Sequence, residues 1–291
     1  MLSLLAASGG VADPIYWSDL GLRPYLFEIG SFQLRFYSLA YLIGVVFAYW
    51  HLSRMIKSPG APMAQRHADD LFFYCTLGVI LGGRLGYSIF YQPDLWANPL
   101  DVLKLWEGGM SFHGGLVGVL IAIAWVSRRG SLSFMRVCDY IAVNVPMGML
   151  LGRLANFNNG ELWGRVSDVP WAMVFPRAGE VARHPSQLYQ AGLEGLLLLI
   201  ILMIMFWKTK ARYRPGLLVG VFTLGMGIAR FVNEFFREPD AQLADFAVRT
   251  GLSMGQWLTI PLILAGLIVT IYAVMRKPVG TGTTNPATNP A

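Results

Sequence analysis

The sequence predicts an all-α polytopic membrane protein with seven transmembrane helices, and three observations carry that expectation. The 291 residues are 55% hydrophobic and 14% charged, with a mean hydropathy of +0.49, far from the balance of a soluble domain. Seven runs are apolar enough, over a window of about 19 residues, to lie in hydrocarbon. The basic residues fall in short clusters between those runs, as orientation signals do in a multispanning protein.

Taken in order, the first run, about 36–53, is followed by Arg54 and Lys57. The second, about 70–91, carries Gly78, Gly82 and Gly86, and the third, about 110–127, repeats the spacing with Gly114 and Gly118 before Arg128 and Arg129. The fourth, about 136–156, holds Gly148 and Gly152; the fifth, about 187–207, contains the uniform stretch "LLLLIILMIMF". The sixth, about 216–236, opens on Gly216 and Gly220, and the seventh, about 254–275, runs to Arg276 and Lys277. Small residues four apart give helix faces on which backbones approach closely, which is a packing role.

Alternate loops divide the Lys and Arg residues into twelve on one side and eight on the other, leaving Arg84, Arg153 and Arg230 inside the runs. The richer side is expected to be cytoplasmic, so the N-terminus is placed outside and the C-terminus inside. Residues 1–277 then form a single integral membrane domain, and 278–291, "PVGTGTTNPATNPA", a disordered cytoplasmic tail. The opening "MLSLLAASGG" lacks a basic region and is expected to be retained rather than cleaved. Cys75 and Cys138 both sit in apolar runs and suggest packing rather than a disulfide. The net charge of +6 is spent on orientation signals, so nucleic acid is not an expected partner. Trp17, Tyr91, Trp96, Trp106, Trp163 and Trp171 fall on the outer loops, where amphipathic rings suit the headgroup region; those loops read as short lids or interfacial turns.

An arginine at mid-membrane costs roughly 2.5–3.5 kcal/mol on insertion scales, less near an interface. Arg84, in "GGRLGY", is as readily a snorkelling or helix-pairing group as a functional one. Arg230 has company: in "RFVNEFFREPD", Arg230, Glu234 and Arg237 share one helical stripe, two positive and one negative, which an anion would balance. Arg153 opens a run of amides and a carboxylate, Asn156, Asn158, Asn159 and Glu161, richer in polar groups than a helix end needs. Arginines recognise planar oxyanions by paired hydrogen bonds, and at an outer membrane surface the natural phosphate is a phospholipid. His113, before Gly114 and Gly115, is either a packing group or an open base titrating near neutrality. His184, before Pro185, reads as a helix-entry residue, and His51 and His67 lie on the cytoplasmic side. No HExxH, Walker, paired-cysteine or GxSxG motif is present, which disfavours metal and covalent serine chemistry.

"GRLANFNNGELWGR", with "GGMSFHGGLVG", "GGRLGY", "RHPSQLYQ" and "RFVNEFFREPD", closely resembles the prolipoprotein diacylglyceryl transferase family, in order from about Tyr37 to Gln256. The resemblance implies seven spans and a periplasm-facing site in the bacterial inner membrane. It also implies phosphatidylglycerol as lipid donor, the lipobox cysteine of a prolipoprotein as acceptor, thioether formation with release of glycerol phosphate, and no metal or other cofactor. By matching motif, Arg153 corresponds to the arginine that contacts phosphatidylglycerol and Arg230 to a second essential arginine. Asn156, Glu161 and Gly164 match the signature, His113 the HGG element, Glu234 and Arg237 the polar stripe, and Tyr37 an aromatic at the first span's outer end. Ala155 and Asn158 stand where related sequences carry glycine and an apolar residue, and Met226 where some carry tyrosine. The expected roles are Arg153 holding the phosphate, Arg230 assisting departure of the leaving group, and His113 as base. Two rival readings are an anion transporter, which would continue polar residues toward the cytoplasmic face, and a lipid-binding scaffold indifferent to His113 and Asn156.

Overall fold

The structure is a computed structural model that describes residues 14–30, 32–238 and 249–279. The expectations for the retained N-terminal ten residues and for 280–291 of the tail lie outside the described residues. The helices are α1 Phe36–Met55, α2 Gln65–Phe90, α3 Phe112–Arg129, α4 Phe134–Ala142, α5 Val145–Asn158, α6 Ser186–Gln190, α7 Leu198–Lys208, α8 Leu217–Asn233 and α9 Met254–Met275. A π turn, Ala191–Leu197, joins α6 to α7. Each of the seven apolar runs thus coincides with helix. Counting α4 with α5 and α6 with α7, five helices among the described residues are long and apolar enough to cross a membrane, and α8 is a shorter apolar helix.

The all-α expectation needs correction, because the segments between the helices contain two small sheets. Strands β1 (Ile15–Tyr16), β4 (Met173–Val174) and β5 (Ala182–Arg183) form one; β2 (Tyr25–Ile29) and β3 (Phe32–Arg35) form an antiparallel hairpin. The hairpin follows from aromatic and β-branched residues flanking Gly30, whose φ is 61°, a conformation that glycine alone enters without steric cost. Three span readings also change. The second helix starts at Gln65, the fourth run breaks between α4 and α5 ahead of Pro146, and the fifth contains the π turn. Pro146 has no N–H to donate, so it fits the first turn of a new helix and not the interior of a continuous one.

Contacts divide the described chain into two compact units. The first takes the chain up to Gly44, Pro146–Leu198 and Leu224–Leu264; the second takes Val45–Val145, Leu199–Thr223 and the chain from Ala265. In the second unit the interior is apolar: Met55, Leu71, Val126, Val137, Tyr140, Leu202, Phe206 and Leu218 are fully buried. Its α2 and α3 pack through glycine. A Cβ on Gly82 would come 2.4 Å from the Gly114 carbonyl oxygen, and one on Gly118 2.0 Å from that of Gly78, so only hydrogen allows this separation. Gly220 meets Thr270 in the same way, whereas Gly152 has nothing within 4 Å and serves no such contact. Arg84 is buried and donates from Nε to Val102 O at 2.7 Å, from Nη2 to Asp101 O at 2.9 Å, and from Nη1 to the carbonyls of Gly108 and Gly109. Its charge is satisfied by main-chain dipoles, in keeping with the structural reading. Asp139, also buried, accepts from the N–H groups of Gly216 and Val219 and so caps the start of α8.

The first unit differs: polar side chains are buried in it about as often as apolar ones. Asn156, Ser186, Gln187, Gln190, Glu194, Asn233, Glu234 and Gln256 are all buried there. Apolar side chains such as Leu42, Leu196, Leu258 and Leu264 face outward instead, the pattern of a helix surrounded by lipid rather than water.

Candidate active site

The polar interior of the first unit is built from α5, α6, the π turn, α8 and the loop after α5. Arg153 lies on α5 and Arg230 on α8, far apart in the chain, and both converge on Glu194, a carboxylate that is 0% exposed. Arg153 Nη2 stands 3.8 Å from Glu194 Oε2, and Arg230 Nη1 3.9 Å from Oε1. Arg230 Nε is 3.8 Å from Glu234 Oε2, and Arg237 Nη1 is 3.7 Å from Glu234 Oε1. The result is an alternating row, Arg153, Glu194, Arg230, Glu234, Arg237; the three residues expected on one helical stripe do line up, but α8 ends at Asn233, so Glu234 and Arg237 reach the row from the turn that follows it, and the row continues onto α5 and the π turn.

These separations exceed hydrogen-bonding distance. Neither guanidinium of Arg153 and Arg230 is used in a hydrogen bond among the described residues, and both Glu194 oxygens and Glu234 Oε2 also lack a hydrogen-bond partner there. Each arginine side chain retains 23% exposure. Coulomb attraction therefore holds the row together while the fork-shaped donors stay available to an oxyanion.

Position is set by local structure. Within the π turn, a Cβ on Gly195 would fall 2.6 Å from the Leu150 Cα, so the turn presses directly on α5 one helical turn before Arg153. Gly255 does the same at α9, where a Cβ would meet the Glu234 carboxylate at 2.6 Å. π turns are rare and occur frequently at functional sites.

The signature loop forms a second group in the same unit. Glu161 Oε1 accepts from Asn156 Nδ2 at 2.9 Å and Asn159 Nδ2 at 3.1 Å, while Asn158 Nδ2 donates to Arg23 O. The main chain turns through Gly160 (φ 63°) and Leu162 (φ 58°), the latter a conformation that costs a branched residue roughly 1–2 kcal/mol. Two fully buried α6 side chains hold it: Ser186 Oγ donates to Leu162 O at 3.0 Å and Gln187 Nε2 to Glu161 O at 2.6 Å. Trp17, assigned to the membrane interface from sequence, is instead buried and donates to Phe157 O at 2.8 Å, fixing the end of α5. A cavity of about 280 Å³ opens beside this loop, lined by Tyr25, Gln33, Arg35, Asn159, Glu161 and Arg177. Tyr37, 40% exposed on the first turn of α1, tilts against Tyr41.

Gly164 binds nothing through a side chain; it lets three segments meet. Its N–H donates to His184 O at 2.8 Å, it bridges to Arg237, and a Cβ would fall 2.3 Å from Phe236 O. Arg165 Nε donates to Arg237 O at 2.9 Å. His184 lies at the entry to α6, its ring 3.1 Å from the Tyr189 hydroxyl and edge-on to Phe236. Burial pushes its imidazole below the ordinary histidine range. These contacts fix the segment that carries Arg237.

Among the residues singled out from sequence, Arg153, Arg230, Glu234 and Arg237 are brought together, with Asn156, Glu161 and Tyr37 in the same unit. His113 belongs to the second unit, where it is exposed in the first turn of α3, against the edge of Phe112, behind the Ser111 cap. Sequence reasoning missed Glu194, Gln187, Gln190 and Asn233. A lone acid in "QAGLEGLLLL" carries the same signal of cost as the arginines, but no second polar residue at helical spacing after it marks a stripe.

A family model described as prolipoprotein diacylglyceryl transferase matches residues 24–272. Three relatives share the name phosphatidylglycerol–prolipoprotein diacylglyceryl transferase. That of Erythrobacter litoralis is 67% identical over 93% of this chain and 96% of its own length. That of Zymomonas mobilis is 50% identical over 90% and 95%, and that of Rhodospirillum rubrum 50% over 88% and 94%.

Proposed function

The chain belongs to the prolipoprotein diacylglyceryl transferase family, and from that premise we propose how its site performs the transfer. It moves the diacylglyceryl group of phosphatidylglycerol to the lipobox cysteine of a prolipoprotein, forming a thioether and releasing glycerol phosphate. This is the first step of lipoprotein lipid modification. The protein is a multi-pass membrane protein; we place it in the bacterial inner membrane with seven spans, the N-terminus outside, the C-terminus in the cytoplasm, and the site toward the periplasmic face. The signs of the loops support that orientation, and surrounding membrane lipids supply the donor.

The observation that carries the mechanism is the convergence of Arg153 and Arg230, donors uncommitted, on one buried carboxylate. Arg153 holds the phosphodiester of the lipid. A thiol with an ordinary pKa of about 8.5 attacks efficiently only as thiolate, so the positive field of the row favours ionisation, with His113 as candidate base. As the C–O bond breaks, charge builds on the leaving phosphate, and fixed guanidiniums of Arg230 and Arg153 stabilise it where little water competes. Glu234 and Arg237 hold Arg230 in register, while Asn156, Glu161 and Gly164 shape the loop beside them, and Tyr37 closes the face nearest α1.

The test is incubation of the purified protein with labelled phosphatidylglycerol and a lipobox peptide, with and without its cysteine. Cysteine-dependent label transfer is expected. Label movement without the peptide, or binding without transfer, would favour the transporter or the scaffold instead.

A further inference from the structure

We propose, resting on the transferase reading above, that Glu194 makes the site prefer a singly charged phosphate and so discharge the doubly charged product. The donor phosphodiester bears one negative charge, and the attacking thiolate, its proton already lost to base or solvent, bears another. The S–C bond forms, the C–O bond breaks, and the bonding pair leaves with the phosphate. Two singly charged reactants become a neutral thioether and a phosphomonoester dianion.

A site made only of arginines would hold that dianion too well. Attraction grows in proportion to ligand charge, while the cost of removing the ligand from water grows with its square. A weak positive field therefore favours the monoanion and a strong one the dianion. Glu194 weakens the field at the point that matters: it is fully buried and lies within 4 Å of both Arg153 and Arg230. The charged groups that face it are Arg153 on α5, Arg230 and Glu234 at the end of α8, and Arg237 beyond it. A carboxylate in hydrogen-bonded pairs would consume guanidinium donors; at these distances Glu194 subtracts charge and leaves the donors free. Its π turn is pressed on the α5 backbone through Gly195, so the carboxylate cannot easily withdraw.

The test compares two inhibitors of label transfer: glycerol phosphate, and glycerophosphoglycerol, a phosphodiester that stays singly charged. In the wild-type protein, inhibition by glycerol phosphate relative to glycerophosphoglycerol should weaken as pH rises from about 5 to about 8, across the second phosphate pKa near 6. In Glu194→Gln the relative inhibition by glycerol phosphate at about pH 8 should strengthen about tenfold, and Glu194→Asp should restore the wild-type ratio. A wild-type ratio that is flat or rises with pH overturns the proposal, as does a Glu194→Gln ratio equal to wild type. If Glu194→Gln does not fold, the wild-type pH series decides alone. Absence of cysteine-dependent transfer by the wild-type protein would sink the transferase reading itself; transfer with an unaltered ratio sinks only the part assigned to Glu194.

Discussion

At the scale of single residues, the site separates charge from shape. Arg153→Lys keeps the charge but loses the fork that grips two oxygens, so transfer should fall about 100-fold with membrane abundance unchanged; wild-type turnover in that variant would remove Arg153 from the chemistry. Gly164→Ala should act through shape alone. Its Cβ would meet Phe236 O at 2.3 Å and His184 Cβ at 2.8 Å, and such overpacking costs about 1–3 kcal/mol, visible as a lower thermal midpoint together with lost activity. If His113 is the base, His113→Gln should be slow near pH 7 and recover toward about pH 9, where the thiol ionises unaided; an unaltered pH profile leaves His113 outside proton transfer. Arg153 and Arg230 were legible in the sequence because a charge in an apolar run announces its cost. Glu194 announces the same cost, but that two arginines remote in the chain share it is a matter of distance, which no local pattern encodes. Gly164 was legible as important yet not as a spacer, because a glycine's reason lies in what stands opposite it.

At the scale of elements, helix existence was legible and helix irregularity was not. Apolar length marks a span, so every run found its helix. The π turn leaves no such mark: Gly192 and Gly195 in Ala191–Leu197 weaken a helix without specifying a π turn, and Gly195 packs directly on α5. The break before Pro146 and the hairpin at Gly30 had local signals, hidden by the hydrophobicity around them. The glycine spacing predicted close helix contact for α2 with α3 and overpredicted it at Gly152. Gly118→Ala should therefore lower thermal stability by about 1–3 kcal/mol, whereas Gly152→Ala should leave it nearly unchanged. Equal thermal midpoints for the two variants would contradict the close contact at Gly78.

At the scale of the whole molecule, the proposed orientation rests on the distribution of positive loops. With Cys75 and Cys138 replaced, a cysteine at Asp168 should react with an impermeant reagent in intact cells, and one at Lys210 only after the membrane is opened. The reverse pattern would invert the topology and move the site to the wrong compartment for an exported acceptor. One further property follows from Arg84. It grips the loop through the main-chain oxygens of Val102, Asp101, Gly108 and Gly109, atoms that every amino acid supplies alike. The outward side chains of Leu100, Leu103 and Trp106 can consequently change while the path of the loop survives, whereas Gly108 and Gly109, both at φ 79°, cannot be exchanged without strain.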